Sequence, residues 1–221
     1  MANNSAPGEA GSLLERLARS QAALDRERAS APALCSELLA LSGEQQEPRL
    51  RQDPRFHTWG MCEVLLERSL MAATAATAPD TARPESGRLA RLALTAAELL
   101  DEALHCAPVV QDLEARAWAC LGDSKLQADD LAGAEEALRQ AAQRLAHGTG
   151  DLLVEARLLE FEAAVRSRQG RRNEAAALLQ QAESRYREVN EHHLAARTQL
   201  QRDQVLQQGE TRLRGIVFEP G

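Results

Sequence analysis

At 221 residues and 24.1 kDa the chain has the length of one domain with a sizeable core. Its 44% hydrophobic and 27% charged residues argue against a disordered chain, and its 3% aromatics and few β-branched residues argue against a sheet protein in favour of Ala/Leu-packed helices. A net charge of −7 speaks against a general nucleic-acid binder, and no apolar run approaches the roughly 18 residues of a membrane span.

Residues 1–11 are small and polar and read as a flexible tail. A helical stripe follows with Leu13, Leu14, Leu17, Ala18 and Leu24, and Ser30-Ala31-Pro32 is expected to stop it. A second short helix carries Leu34, Leu38, Leu39 and Leu41, and Ser42 to Pro48 reads as a linker. Asp53-Pro54 has the signature of a helix start, with Asp at the N-cap and Pro in the first turn. That helix runs through Phe56, Trp59, Cys62, Leu65 and Leu66 to about Leu70. Ala72 to Gly87 reads as helix tail and then loop. A helix over about 86–105 turns Leu89, Ala90, Ala93, Leu94, Ala97, Leu100 and Leu104 inward.

Pro108 opens the next helix, with Leu113, Ala117, Trp118, Leu121 and Leu126, and Ala128-Asp129-Asp130 makes a tight turn. Its partner carries Leu131, Ala134, Leu138, Ala141 and Leu145. After a break at His147 to Gly150, Asp151 caps a helix with Leu152, Ala156, Leu159 and Ala163. Gln169-Gly170-Arg171 turns it into a helix with Ala175, Leu178, Leu179, Ala182 and Tyr186. Asn190 is expected to cap a last helix that Gly209 ends, and Ile216-Val217-Phe218 reads as a packed tail.

Segment 115–148 carries the informative pattern. Trp118, Leu121 and Gly122 are followed by Ala134, Leu138 and Ala141, so small residues fall where two antiparallel helices cross and large ones fill the grooves beside them. This pattern resembles a tetratricopeptide (TPR) unit, with Lys125 in place of the usual Tyr. A related unit over 156–189 keeps Gly170, Ala175, Leu179 and Ala182, with Ala175 lying 41 residues after Ala134. Leu159, Glu162 and Ala163 take the Trp, Leu and Gly slots. Trp59 opens an earlier unit, and 191–208 aligns as a lone terminal helix. The alternative is an Ala-rich helical bundle without a repeat.

The resemblance implies an all-α fold: a right-handed superhelix of antiparallel helix pairs, a TPR-like α-solenoid of about nine helices. It divides the chain into N-terminal helices over 12–48, which cap the repeat or cover its groove, a repeat domain over 49–209 with a C-terminal capping helix, and a tail over 210–221. It also implies a cytoplasmic, non-catalytic scaffold, adaptor or regulatory subunit. Such a protein binds a partner protein or peptide on its concave face, a partner that a neighbouring gene is a natural place to encode. The side chains implied for that face are His57, Val64 and Arg68; Arg116, Asp123 and Gln127; Arg157, Glu160, Ala164 and Arg168; and Gln199 and Asp203. Slots that hold a terminal carboxylate in chaperone-binding TPRs contain Gly60, Val64, Ala119 and Arg157, so most of that clamp is missing. The competing reading is a sensor that binds a small ligand or acidic peptide to control a partner enzyme such as a protease, or a transcription regulator. A homodimer through the open ends stays compatible with either.

Other chemistry is sparse. There is no Gly-rich phosphate loop, HExxH, GxSxG or EF-hand loop, so no cofactor or metal is expected. Cys35, Cys62, Cys106 and Cys120 are scattered without a CxxC and read as buried thiols of a cytosolic protein, with the imidazoles exposed. His105-Cys106 is the one local pair of catalytic residue types, but no neighbour activates a nucleophile there, so an enzyme is not expected. The opening MANNSAPGEAG lacks the basic and apolar regions of an export signal. A single lysine, Lys125, against many arginines suggests a GC-rich bacterial genome. Two arginine clusters, Arg49/Arg51/Arg55 and Arg166/Arg168/Arg171/Arg172, either dock an anion or pair with neighbouring carboxylates.

Overall fold

The computed structural model of the chain describes residues 7–74, 82–101 and 104–216. Among these it contains nine α-helices, a short 3-10 turn and no strand. The helices are α1 (Pro7–Leu39), α2 (Gly43–Gln52), α3 (Trp59–Thr74), α4 (Ala82–Glu98), α5 (Ala107–Gln127), α6 (Leu131–Leu145), α7 (Leu152–Arg168), α8 (Arg172–Glu188) and α9 (His192–Ile216), with the turn at Pro54–Phe56. No helix among the described residues is long and apolar enough to cross a membrane.

Packing follows chain order. α3 lies against α4, α5 against α6, α7 against α8, and α8 against α9. α3 also touches α5, α5 touches α7, and α4 and α6 each meet the helix that follows. α1 packs on α3 and α2 on α4. Buried clusters run along this series. The largest joins Cys35, Leu38, Phe56, Leu65, Leu92 and Leu113, and the next joins Ala134, Ala141, Phe161 and Val165, with half-buried Trp118 packing against both. Gly122 is buried, and a methyl group there would collide with the Phe161 ring and Ala137, so this glycine makes room for α7 between α5 and α6.

One turn geometry recurs. Asp129, Gly170 and Asn190 have φ of 59°, 79° and 61° and sit just beyond the ends of α5, α7 and α8. At each, the next N–H returns to a carbonyl five residues back: Asp130 to Lys125, Arg171 to Arg166, and Glu191 to Tyr186. This is the Schellman closure that satisfies the last orphan carbonyls of a helix. Asn190 is therefore a helix terminator and not the expected N-cap. Asp130 and Asp151 do cap, accepting from Gly133 N–H (2.9 Å) and Leu153 N–H (2.8 Å).

The remaining differences have identifiable causes. α1 runs through Pro32, because Cys35 and Leu38 beyond it are fully buried and reward continuation past the proline. The stretch read as a linker is α2, with Leu50 buried and Gln46 donating to the Leu41 carbonyl (3.0 Å). Asp53-Pro54 opens only the 3-10 turn, and α3 starts anew at Trp59. Leu104 is 68% exposed because α4 has already ended at Glu98. α9 passes through Gly209, since a lone glycine costs a helix only about 1 kcal/mol. α1 begins at Pro7, within the stretch read as a tail; 1–6, 75–81 and 217–221, where the rest of both tails and part of the loop were expected, lie outside the described residues.

Candidate functional site

Two adjoining cavities open along the row formed by α3, α5, α7 and α9. The first, of about 280 Å³, is walled by Leu66 and Leu70 of α3, Ala119 and Cys120 of α5, and Leu194 of α9; Arg116, Asp123, Arg157, Glu160 and Arg197 supply its polar groups. The second, of about 350 Å³, shares Asp123 and Glu160 and continues past Gln127, Ala164 and Arg168. Arg116, Asp123, Gln127, Arg157, Glu160, Ala164 and Arg168 thus line the two cavities together. His57 does not join them: its Nε2 lies 2.8 Å from the Leu50 carbonyl, which anchors the turn after α2. Arg68 sits close enough to Cys35 of α1 to act on its thiol, Gln199 is exposed, and Asp203 pairs with Arg202 (3.6 Å); none of them lines either cavity.

The polar groups are not equivalent. Glu160 is fully engaged: it accepts from Tyr186 Oη (2.7 Å), Thr198 Oγ1 (2.7 Å) and Arg197 (3.1 Å), tying α7 to α8 and α9. Arg168 pairs with Asp129 (2.5 Å). Asp123 accepts from Gln127 Nε2 (2.7 Å), and burial pushes its carboxyl above the usual range against the weaker pull of Arg168. Burial likewise pushes the Cys120 thiol up to about 11. Arg116 and Arg157 are half-buried and make no hydrogen bond or ion pair among the described residues. Burial first, then the like charge of Arg157, pulls Arg116 below the ordinary guanidinium value; Glu63 and Asp151 oppose this through space, and Glu63 is itself bonded to Arg28 (2.8 Å).

The sequence clusters of arginine behave otherwise. Arg49 and Arg55 share Asp53 and Glu37, Arg51 holds Glu47, Arg166 holds Glu162, and Arg171 holds Glu174. His105 is buried against Trp59, with ring centroids 5.7 Å apart, and its Nε2 is 3.8 Å from Glu27. Cys106 is exposed at the N-cap of α5. The two neighbours thus face different surroundings, and both depart from the expectation of buried thiols and exposed imidazoles. Among the described residues no three His, Cys, Asp or Glu side chains converge as a metal site.

Sequence reasoning did not find the apolar wall of Leu66, Leu70 and Leu194, nor the Glu160 node. The one available signal for the node was Tyr186, the sole tyrosine, placed on the inward stripe of α8. No family model, curated protein or solved structure matches this chain.

Proposed function

We propose that the chain is a TPR-like helical-repeat scaffold, an adaptor or regulatory subunit, that binds a segment of a partner protein in the groove along α3, α5, α7 and α9. The single observation that carries this reading is the pair of adjoining cavities on the helices that open each pair. A curved stack of helix pairs presents that row on its concave side. The repeated turn at Asp129, Gly170 and Asn190, and Ala163 buried one repeat after Gly122, support the solenoid reading. The packing of α1 on α3 and α2 on α4 supports a cap at the first unit rather than a cover over the groove.

The test fills the groove without disturbing the helices. Half-buried Ala119 and Ala164 line its two cavities. Ala119→Trp and Ala164→Arg are expected to abolish capture of a partner from the native host while the melting temperature stays within a few degrees of the parent. A partner held equally by both folded variants would overturn the reading. The half-enclosed first cavity with its two free guanidiniums favours a second reading, a sensor for a small anionic ligand. Thermal-shift screening separates the two, because such a ligand at 100 times its Kd adds about 2.7 kcal/mol.

A further inference from the structure

We propose that Arg116 and Arg157 form an anion subsite within this groove, and that it takes the carboxylate of an acidic side chain flanked by apolar residues in a partner's peptide segment. The inference rests on the groove reading above and names the chemistry of its occupant. The two arginines occupy the same slot of successive units, 41 residues apart, on helices that touch. Each is half-buried and without a hydrogen bond or ion pair among the described residues, whereas Arg168 and Arg197 on the same face are both engaged. Taking a charge out of water without a partner is unfavourable, and a second like charge beside it adds to the cost. A carboxylate between the two relieves both, and guanidinium forks match its geometry with paired N–H donors.

The surroundings select among anions. Asp123 and Glu160 border the same cavity, so a run of phosphates would meet two carboxylates within one span. Leu66, Leu70 and Leu194 offer apolar surface on either side, which suits apolar neighbours of a single acidic residue. A volume of about 280 Å³ lies at the lower end for ligand pockets, enough for a few side chains and no more.

The experiment is a selection from a displayed random peptide library on the full chain, followed by fluorescence anisotropy of a labelled selected peptide. Selected peptides are expected to share an Asp or Glu between apolar residues. R116Q and R157Q should each weaken binding at least tenfold, R116K less so, and replacing the peptide's acidic residue by its amide should weaken it equally. That amide peptide should no longer distinguish R116Q from the parent, and blocking the peptide's C-terminal carboxylate should change nothing. Peptides that bind in the groove, as judged by loss with Ala164→Arg, but carry no acidic residue or ignore both arginine variants would overturn the subsite and leave the groove reading standing. Selection of nothing that Ala164→Arg abolishes would overturn both. Displacement of the peptide by an oligothymidylate of 20 nucleotides would overturn the carboxylate in favour of phosphate.

Discussion

Gly60→Ala tests how the N-terminal helix is held. A methyl group on Gly60 would lie 2.6 Å from the Glu27 carbonyl oxygen, 2.7 Å from its carbon and 2.8 Å from Arg28 N, all backbone atoms of α1. Ordinary contact begins near 3.4 Å, so α1 must withdraw from α3 by about 0.8 Å. That movement stretches the bond from Trp59 N–H to Glu27 Oε2 (2.7 Å), which satisfies an orphan donor of the first turn of α3. It also stretches the Arg28–Glu63 pair (2.8 and 2.9 Å). Overpacking costs about 1–3 kcal/mol, and weakening one charge-assisted bond adds about 1 kcal/mol. The exposed ion pair adds little, and the helix propensity of alanine returns under 1 kcal/mol in a first turn. A net loss of about 2 kcal/mol lowers the Tm of a domain this size by about 4–8 °C. Calorimetry measures the shift, and limited trypsin digestion locates it, with faster cleavage after Arg26 and Arg28 while α5 to α9 stay protected. A Gly60→Ala variant that melts at or above the parent temperature would refute the close-approach argument.

Three further outcomes follow from burial and pairing. Burial raises the Asp123 carboxyl, so the folded chain holds that proton more tightly than the unfolded one, and the resulting stability, present below about pH 4, is lost as pH rises through the folded value. Asp123→Asn is therefore expected to melt higher than the parent at pH 7 and to converge with it near pH 4; a gap that ignores pH would exclude the burial cause. Arg116→Gln removes a half-buried charge with no bonded partner and is expected to raise Tm by about 2–4 °C, or about 1 kcal/mol, while Arg168→Gln, which breaks a pair, should not. Under a thiol reagent at pH 8, Cys106 should react first and Cys35 and Cys62 only on unfolding, with Cys120 slow because its thiol is held at about 11; mass spectrometry of the labelled peptides reads the order.

Helices and turns were legible where one physical cause acted alone. The inward stripes of α5 to α8 follow from burial at helical spacing, and Gly170 marks a turn because its φ is open to glycine without cost. Asp129 and Asn190 occupy the same left-handed position, and Asp and Asn also make good N-caps. Their sequence context left the choice open; Asp129 fell inside a predicted turn, and Asn190 was assigned the wrong end of a helix. Pro32 and Gly209 are local breakers that the fold tolerates for different reasons: burial of Cys35 and Leu38 beyond Pro32 outweighs a lost hydrogen bond, and a lone glycine costs a helix only about 1 kcal/mol. α2 was missed because Leu50 is its only buried apolar residue, and a single position makes no stripe.

The groove shows the same division between pattern and pairing. Helical spacing alone places Arg116 with Asp123 on one face of α5 and Arg157 with Glu160 on one face of α7, and the first cavity joins the two faces. Which of those charges is available depends on partners far away in the chain. Glu160 looks as free as Arg157 in sequence, yet Tyr186 and Thr198, 26 and 38 residues further on, take up its oxygens. The arginine clusters look the most suited to anion binding, yet carboxylates within four residues hold Arg51, Arg166 and Arg171, and Asp129, 39 residues back, holds Arg168. Arg116 escapes this because Ala119 and Cys120 follow it on the cavity side of α5, and Arg157 because Glu160, three residues on, is already taken by Tyr186, Arg197 and Thr198. A cavity-lining guanidinium whose neighbouring carboxylates are absent or already engaged is thus a better guide to a binding position in such a chain than the density of positive charge.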